Sequence, residues 1–372
     1  MKQTLYQKIY NDLILDIENK KYQIGDKLPT EAELSKQYKV SRITAKKAMD
    51  MLAEKKLVAR RQGLGTIVIN AKSIATEVPE NTKPVTIGLI QHDISPTFGL
   101  EFLQTMELLT QEKDMLLITG FSNHSIESEE KLLERFRAYG VEGIIISPVH
   151  NQSFNNTFIR LVMNRYPLVL LDRYLKDLTC PNVVSMNYEG AQEVVNYLFN
   201  LGHRNIAFLS RDIASATTLQ ERRNGILKAM AQKGLISHPD WWLSGLTEKA
   251  GKQTDQYISD KNSIKELLVD NPEITAVVCL KCFPVPMVFE ATKEIGKVIP
   301  EDLSLISFDS PGFLCNKIIR LSHVKQDESM MAKKAFAMLL NLIDGKDTPL
   351  REKVPVHLEI GATTASPKNS IW

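Results

Sequence analysis

Apolar residues recur at three- and four-residue steps through Tyr6, Ile9, Tyr10, Leu13, Ile14 and Ile17, which predicts one amphipathic helix ending before Gly25. Leu28-Pro29-Thr30 then offers a hydroxyl cap, followed by Glu31-Ala32-Glu33-Leu34, whose carboxylates suit the positive end of a second, short helix. Ser41 can cap a third, with Ala45, Ala48, Met49 and Leu52 on its buried side and Arg42, Thr44, Lys46 and Lys47 outward. Residues 57–61 and 66–69 read as strands joined by Gln62-Gly63-Leu64-Gly65, a hairpin with a glycine-rich tip. Residues 71–84 lack periodicity and carry Pro79 and Pro84, as a connector would.

Past the connector the pattern changes. Short apolar bursts at 85–90, 115–119, 143–147, 168–172, 205–210, 276–280 and 303–308 alternate with helix-length segments at 99–112, 127–139, 189–201, 217–233 and 327–344. Continuous apolar strands alternating with amphipathic helices predict α/β architecture, with parallel sheets flanked by helices and length enough for two of them.

Composition alters this picture in one respect. The net charge of +2 hides an imbalance: residues 1–70 hold fourteen Lys or Arg against eight Asp or Glu, and the remainder is mildly acidic. The excess concentrates at Lys36, Lys39, Arg42, Lys46, Lys47, Lys55, Lys56, Arg60 and Arg61. Such a patch is either a solvated face or a footprint for a polyanion, where each neutralised phosphate releases counterions. Two short helices with bases and hydroxyls on the second form the geometry that enters the major groove. A tip without bulky side chains can approach the minor groove, where Gln62 can donate to base acceptors.

The run LPTEAELSKQYKVSRITAKKAMDMLAEKKLVARRQGLGTIV resembles the DNA-binding domain of GntR-family regulators across residues 4–69. The resemblance implies a winged helix-turn-helix over residues 1–70, with DNA contacts from Thr30, Glu31, Ser41, Arg42, Thr44, Lys46, Arg60, Gln62, Gly63 and Gly65. One departure is Lys56, where that family carries glycine before the wing.

Parallel sheets bind ligands beyond the carboxyl ends of their strands, and here those positions are polar. Asp93, Ser95 and Phe98 follow the first burst and Asp172-Arg173 the fourth; Lys281 and Asp309 follow later ones, with Arg222 near a helix start and Gln326 beyond 321–325. Carboxylates, guanidinium groups and an amide beside an aromatic face suit a carbohydrate, which supplies both donors and acceptors.

The phrases VTIGLI, VEGIIISP, PLVLLDR, NLGHRNIAFLS, ERRNGILKAM, IPEDLSLISFDS and HVKQ resemble the effector domain of LacI/GalR regulators over residues 85–366. That resemblance implies a two-lobed periplasmic-binding-protein-like fold, with lobe one at 85–186 and 326–345, lobe two at 187–325 and 346–366, and a tail at 367–372. It also implies Phe98 as a stacking aromatic, Asp172 and Arg173 as a hydroxyl clamp, and Arg222, Asp309 and Gln326 across the cleft. The pairing of both domains is similar to that in arabinose-responsive repressors. Lys281-Cys282 stands where those relatives carry Asn-Asp, and Gly99 replaces a second aromatic. A cation in place of a neutral amide favours an anionic effector such as a sugar phosphate or a uronate.

Other signals carry less. Cys279 and Cys282 have CxxC spacing, but no second pair accompanies them to complete a zinc site, and Pro284 and Pro286 are expected to crowd a turn after them. Trp241-Trp242 reads as core or surface. Neither a catalytic motif nor a cofactor motif is visible, no apolar run approaches the roughly 18 residues of a bilayer span, and four cysteines without a leader suggest the cytoplasm. The expectation is a homodimeric, sugar-released repressor bound to operator DNA, needing no cofactor, metal or membrane. An activator or co-repressor of the same architecture, or a sugar-processing enzyme, is the alternative.

Overall fold

A computed structural model describes residues 4–61, 65–69, 84–94, 97–149, 156–248, 254–310 and 320–368. The chain divides into two units, residues 1–83 and 84–372.

In the first unit, helices α1 (Leu5–Glu18), α2 (Glu31–Tyr38) and α3 (Arg42–Glu54) precede an antiparallel hairpin of β1 (Val58–Arg61) and β2 (Gly65–Val68). Ile9, Leu13, Ile17, Leu34, Ala45, Ala48, Met49, Leu52 and Val68 close one core, so the apolar stripes read from the sequence face each other. Thr30 caps α2 through a reciprocal capping box with Glu33, and Ser41 caps α3 by accepting from Thr44 N at 3.2 Å. Lys56 takes φ +56°, the left-handed backbone that glycine favours. The turn before the wing is thus kept at a steric cost of about 1–2 kcal/mol.

The second unit holds two six-stranded sheets. Lobe one contains β3 (Thr86–Gln91), β4 (Leu116–Phe121), β5 (Gly143–Ile146), β6 (Leu168–Leu171), β7 (Asn182–Ser185) and β13 (Arg351–Val354), in the order β13-β7-β6-β5-β3-β4. Lobe two contains β8 (Ile206–Leu209), β9 (Trp242–Leu243), β10 (Ala276–Cys279), β11 (Ser304–Phe308), β12 (Ser322–Gln326) and β14 (Val356–Glu359), in the order β14-β12-β11-β10-β8-β9. The orders correspond strand for strand, β3 to β8, β5 to β10 and β6 to β11. All pairings in these two sheets are parallel except β12 with β14.

Helices cover both faces, which is why the central strands are apolar without alternation. Ala207 and Leu209 of β8 enter one lobe-two core while Ile206 and Phe208 enter the other. Helices α4 (Leu100–Glu112), α5 (Ile126–Ala138), α7 (Asn187–Leu201), α8 (Thr217–Gln232) and α11 (Glu328–Ile343) fall on the expected segments. α6 (Asn156–Met163), α9 (Asp255–Asp270) and α10 (Val285–Glu294) are additional.

The turn expected after Cys282 is present and carries Pro284, closed by Val285 N donating to the Cys282 carbonyl at 3.0 Å, but Pro284 and Pro286 also start α10, where a missing N–H has no helical partner to lose. One boundary is corrected. The final return to lobe two falls at Pro355 rather than after residue 345, because β13 pairs with β7. The chain therefore crosses between sheets after β7, after β12 and between β13 and β14.

Candidate functional site

In the first unit, α3 presents Arg42, Lys46 and Lys47 to solvent. Arg42 and Lys46 are one turn apart on a common face, while Lys47 Nζ lies 4.1 Å above the Tyr6 ring. Thr44 is half-buried, its hydroxyl 2.9 Å from Ser41 Oγ, and Thr30 shares its hydroxyl with Glu33. Arg60 is exposed but reaches Asp50 at 2.5 Å and Glu31 at 3.2 Å. Glu31 and Asp50 thus hold Arg60 against α2 and α3, a role for Glu31 that sequence position did not reveal. Gly65 has φ +91°, a left-handed backbone that favours glycine and accounts for it, whereas the atom nearest to an added Cβ, Lys27 Cε at 2.6 Å, belongs to the movable end of a side chain. Gln62 and Gly63, like Ser95 in the second unit, lie outside the described residues.

In the second unit, the strand-end residues of both sheets converge on the cleft between the lobes. Asp172 follows β6 and Asp309 follows β11, the corresponding strand of the other lobe, and both take left-handed backbone, with φ +64° and +63°. Aspartate tolerates this conformation, yet it costs about 1 kcal/mol or more at each position and marks a constrained site. Arg173 is 2% exposed, its Nη1 donating to the carbonyls of Pro148 and Val149 at 3.2 and 2.8 Å. Its Nε stands 3.6 Å from Asp172 Oδ2, near enough to pair charges but too far for a hydrogen bond.

Arg222, equally buried on α8, donates from Nε to Asn187 Oδ1 at 2.8 Å and from Nη1 to the Leu280 carbonyl at 2.6 Å, and its guanidinium lies 4.1 Å over Phe308. Burial raises the Asp309 carboxyl, and Arg222 and Gln326 partly offset this. Gln326 joins the lobes: its Nε2 donates to Asp309 Oδ1 at 2.9 Å and its Oε1 accepts from Ser185 Oγ at 2.6 Å. Tyr174, next to Arg173, adds a second link by donating from its hydroxyl to Glu221 at 3.2 Å. Phe98 borders a cavity of about 620 Å³ with Gln104, Asp309, His323, Gln326 and Glu328. Gly99, found where an aromatic was expected, starts α4 at φ +103°, and its N–H donates to Glu328 at 2.9 Å.

Asp93 and Lys281 are partnered too. His124 Nε2 meets Asp93 Oδ2 at 2.9 Å, and Lys281 forms an ion pair with Glu248, which also takes Arg211 Nη1 at 2.9 Å. His92 is buried beside them; burial first, then the charges of Arg173, Lys281, His124 and Arg211, hold its imidazole well below its ordinary range and so neutral. Arg211 directly follows the strand-end Ser210 and was accessible to the rule that selected Asp172. His124 and Glu248 were not, since only tertiary folding brings them to the cleft.

Several buried side-chain atoms lack a hydrogen-bond partner among the described residues, and four of them lie at or just beyond carboxyl strand ends: Gln91 Oε1, Ser122 Oγ, Arg173 Nε and Ser210 Oγ. An unpaired buried polar atom costs about 1–3 kcal/mol, so this grouping suits a polar ligand. Elsewhere the thiols of Cys180, Cys279 and Cys282 are free and buried, and burial raises all three. Trp241 belongs to the lobe-two core and Trp242 stacks on Phe208 at 4.3 Å. No helix among the described residues is long and apolar enough to cross a membrane.

Glu129 supports the cleft from behind, accepting from Val149 N at 2.8 Å. Burial raises its carboxyl to about 7, opposed by that N–H and by Arg173. Between roughly pH 4.5 and 7 the folded state therefore holds the proton that the unfolded state has lost, and stability falls as pH rises, by about 3 kcal/mol in all. Glu129→Gln is expected to flatten this dependence and to exceed the parent in urea midpoint at pH 8. Identical slopes in both proteins would contradict the assignment.

Residues 5–68 match the family described as "Bacterial regulatory proteins, gntR family" and residues 195–364 the "Periplasmic binding protein-like domain". The arabinose metabolism transcriptional repressor of Geobacillus stearothermophilus is 25% identical over 344 residues, covering 91% of each chain. The probable transcriptional repressor ExuR of Bacillus subtilis is 28% identical over 285 residues, 75% of this chain and 79% of its own. Among solved structures, the transcription regulator CcpA of Lactococcus lactis superposes with TM-score 0.64 at 19% identity, covering 76% of this chain and 100% of its own. A periplasmic binding protein/LacI transcriptional regulator from Alkaliphilus metalliredigens, solved with D-xylulofuranose, gives 0.63 at 22%, with the same coverage. With its capped helices and hairpin in one unit and its paired parallel sheets in the other, the chain joins a GntR-type helix-turn-helix domain to a periplasmic-binding-protein-like domain.

Proposed function

We propose that this protein is a ligand-responsive transcription regulator: a cytoplasmic, homodimeric repressor of carbohydrate-utilisation genes, released from its operator by a sugar or sugar derivative. The observation that carries the reading is the set of buried, unpaired polar atoms at the strand ends of the cleft, in a chain whose other unit exposes Arg42 and Lys46 on a capped helix. Asp93, Phe98, Asp172, Arg173, Arg222, Lys281, Asp309 and Gln326 are the proposed effector contacts, with Arg211 and Glu248 added. Asp172 and Asp309 stand beside Arg173 and Arg222, which suits hydroxyl binding better than proton transfer, and the relatives are named as regulators rather than enzymes.

Effector binding across the cleft would favour one lobe arrangement. In a dimer that arrangement sets the spacing of two DNA-binding units, so sugar and operator oppose each other through one coupling free energy. A mobility shift on DNA upstream of neighbouring genes, repeated with a sugar panel, tests this; no shift on any fragment, or a shift indifferent to every sugar, counts against it.

Arg42→Ala is expected to weaken operator binding by about 1–3 kcal/mol at a single base step, whereas Lys46→Ala should lower the salt dependence with little change in sequence preference. Equal salt slopes for the parent and the Lys46 variant would remove Lys46 from the phosphate contacts.

A further inference from the structure

Arg211 and Glu248 give the lobe-two wall a feature that strand-end reading alone does not supply. One carboxylate, Glu248, serves two cations, Arg211 and Lys281, and all three are part-buried at 18–23% side-chain exposure. Arg211 fixes its plane by donating from Nε and Nη2 to Ser215 Oγ at 3.2 and 3.0 Å. Burial alone would raise Glu248, but Lys281 and Arg211 together outweigh it and hold the carboxyl at about 2, so the group is a full anion at any physiological pH.

The surplus cation is local to this cluster: elsewhere on lobe two Arg222 stands with Asp309 and Glu221, and lobe one sets Arg173 against Asp93 and Asp172, with His92 neutral. Two further observations point to a ligand here. Ser210 Oγ, one residue before Arg211, is buried without a hydrogen-bond partner, and so is Arg173 Nε on the opposite wall.

We infer that the effector carries an anionic group, a carboxylate or a phosphate, on a polyhydroxylated carbon chain, and that Arg211 and Lys281 hold this group while Glu248 serves as their internal counter-ion. The inference rests on the cleft being the effector site. A hydroxyl group cannot neutralise the surplus cation of the Arg211–Glu248–Lys281 cluster, whereas an anion can, through charge-assisted hydrogen bonds about twice as strong as neutral ones. The carboxylates of lobe one are left to accept from the hydroxyl groups. Glu248 limits the attraction, because it repels a second anion; removing its charge while keeping its shape should strengthen anion binding.

Calorimetry on the full-length protein tests this with matched probes: D-galactose, D-glucose and D-fructose against D-galacturonate, D-glucuronate, D-glucose 6-phosphate and D-fructose 6-phosphate. At least one anion is expected to bind ten-fold or more tightly than its neutral parent. Glu248→Gln should raise that ratio about five-fold and Lys281→Gln should erase it, with thermal melts confirming that both variants fold. A lead for the uronates identifies a carboxylate effector, and a lead for the esters a phosphate. Tight binding of neutral sugars alone overturns the anionic assignment and leaves the effector reading intact. An anion preference that neither variant changes also overturns it, while binding by none of the seven probes sinks both.

Discussion

Arg222→Met is expected to lower the unfolding free energy of the second unit by about 3–5 kcal/mol and to abolish its response to sugar, with the first unit still able to bind DNA. Arg222 is buried, and three groups depend on it: Asn187 Oδ1, the Leu280 carbonyl and the carboxylate of Asp309. Methionine fills a similar volume, so the loss comes from stranded polar groups rather than from a cavity. The largest share belongs to Asp309, already raised by burial and then deprived of its main counter-charge. Adding Asp309→Asn to the variant should therefore recover part of the loss, and the double-mutant cycle reads that coupling in urea denaturation. Purely additive effects would mean that the two groups are not partners.

Gly225→Ala should destabilise the same unit by roughly 2–3 kcal/mol, net of the 1 kcal/mol or so that alanine gains in helix propensity. An added Cβ would meet the Tyr188 carbonyl oxygen at 2.2 Å and Ala191 Cβ at 3.0 Å, so α7 and α8 touch at this glycine. A backbone carbonyl cannot rotate aside as a side chain can, and relief requires the helices to separate, disturbing Arg222 and Asn187 together. Gly140→Ala is the comparison. Its φ is +77° with open space around it, so the cost is backbone strain alone, about 1 kcal/mol. Equal melting temperatures for the two variants would show that the helix contact yields.

These variants bear on how the cleft could report occupancy. Gln326 ties Ser185 of lobe one to Asp309 of lobe two, and Tyr174 ties Arg173's segment to Glu221 beside Arg222. A ligand that pairs the buried atoms of both walls adds to these same links, so its binding energy is available for shifting the lobes.

The sequence by itself determined what depends on near neighbours. Periodicity and capping residues located α1, α2 and α3, because a helix satisfies its hydrogen bonds within a few residues, and apolar bursts located β3, β5, β6, β8, β10 and β11 though not the inner strand β7, because a sheet covered on both faces leaves little room for polar side chains. The strand-end rule picked out Asp172, Arg173, Lys281 and Asp309 from position alone. Folding decided what depends on partners far along the chain. Strand β13 is polar on its exposed side and enters the lobe-one sheet by pairing with β7, 169 residues earlier, and β9 is two residues long. Arg60 looked free for phosphate until Asp50 and Glu31 met it, and Lys281 looked like a lone cation until Glu248 and Arg211 were placed beside it. Charge and hydrogen-bond valence are shared between groups that local pattern cannot bring together, so the strand-end residues could be read in the sequence while their partners, and with them the net charge around Lys281, could not.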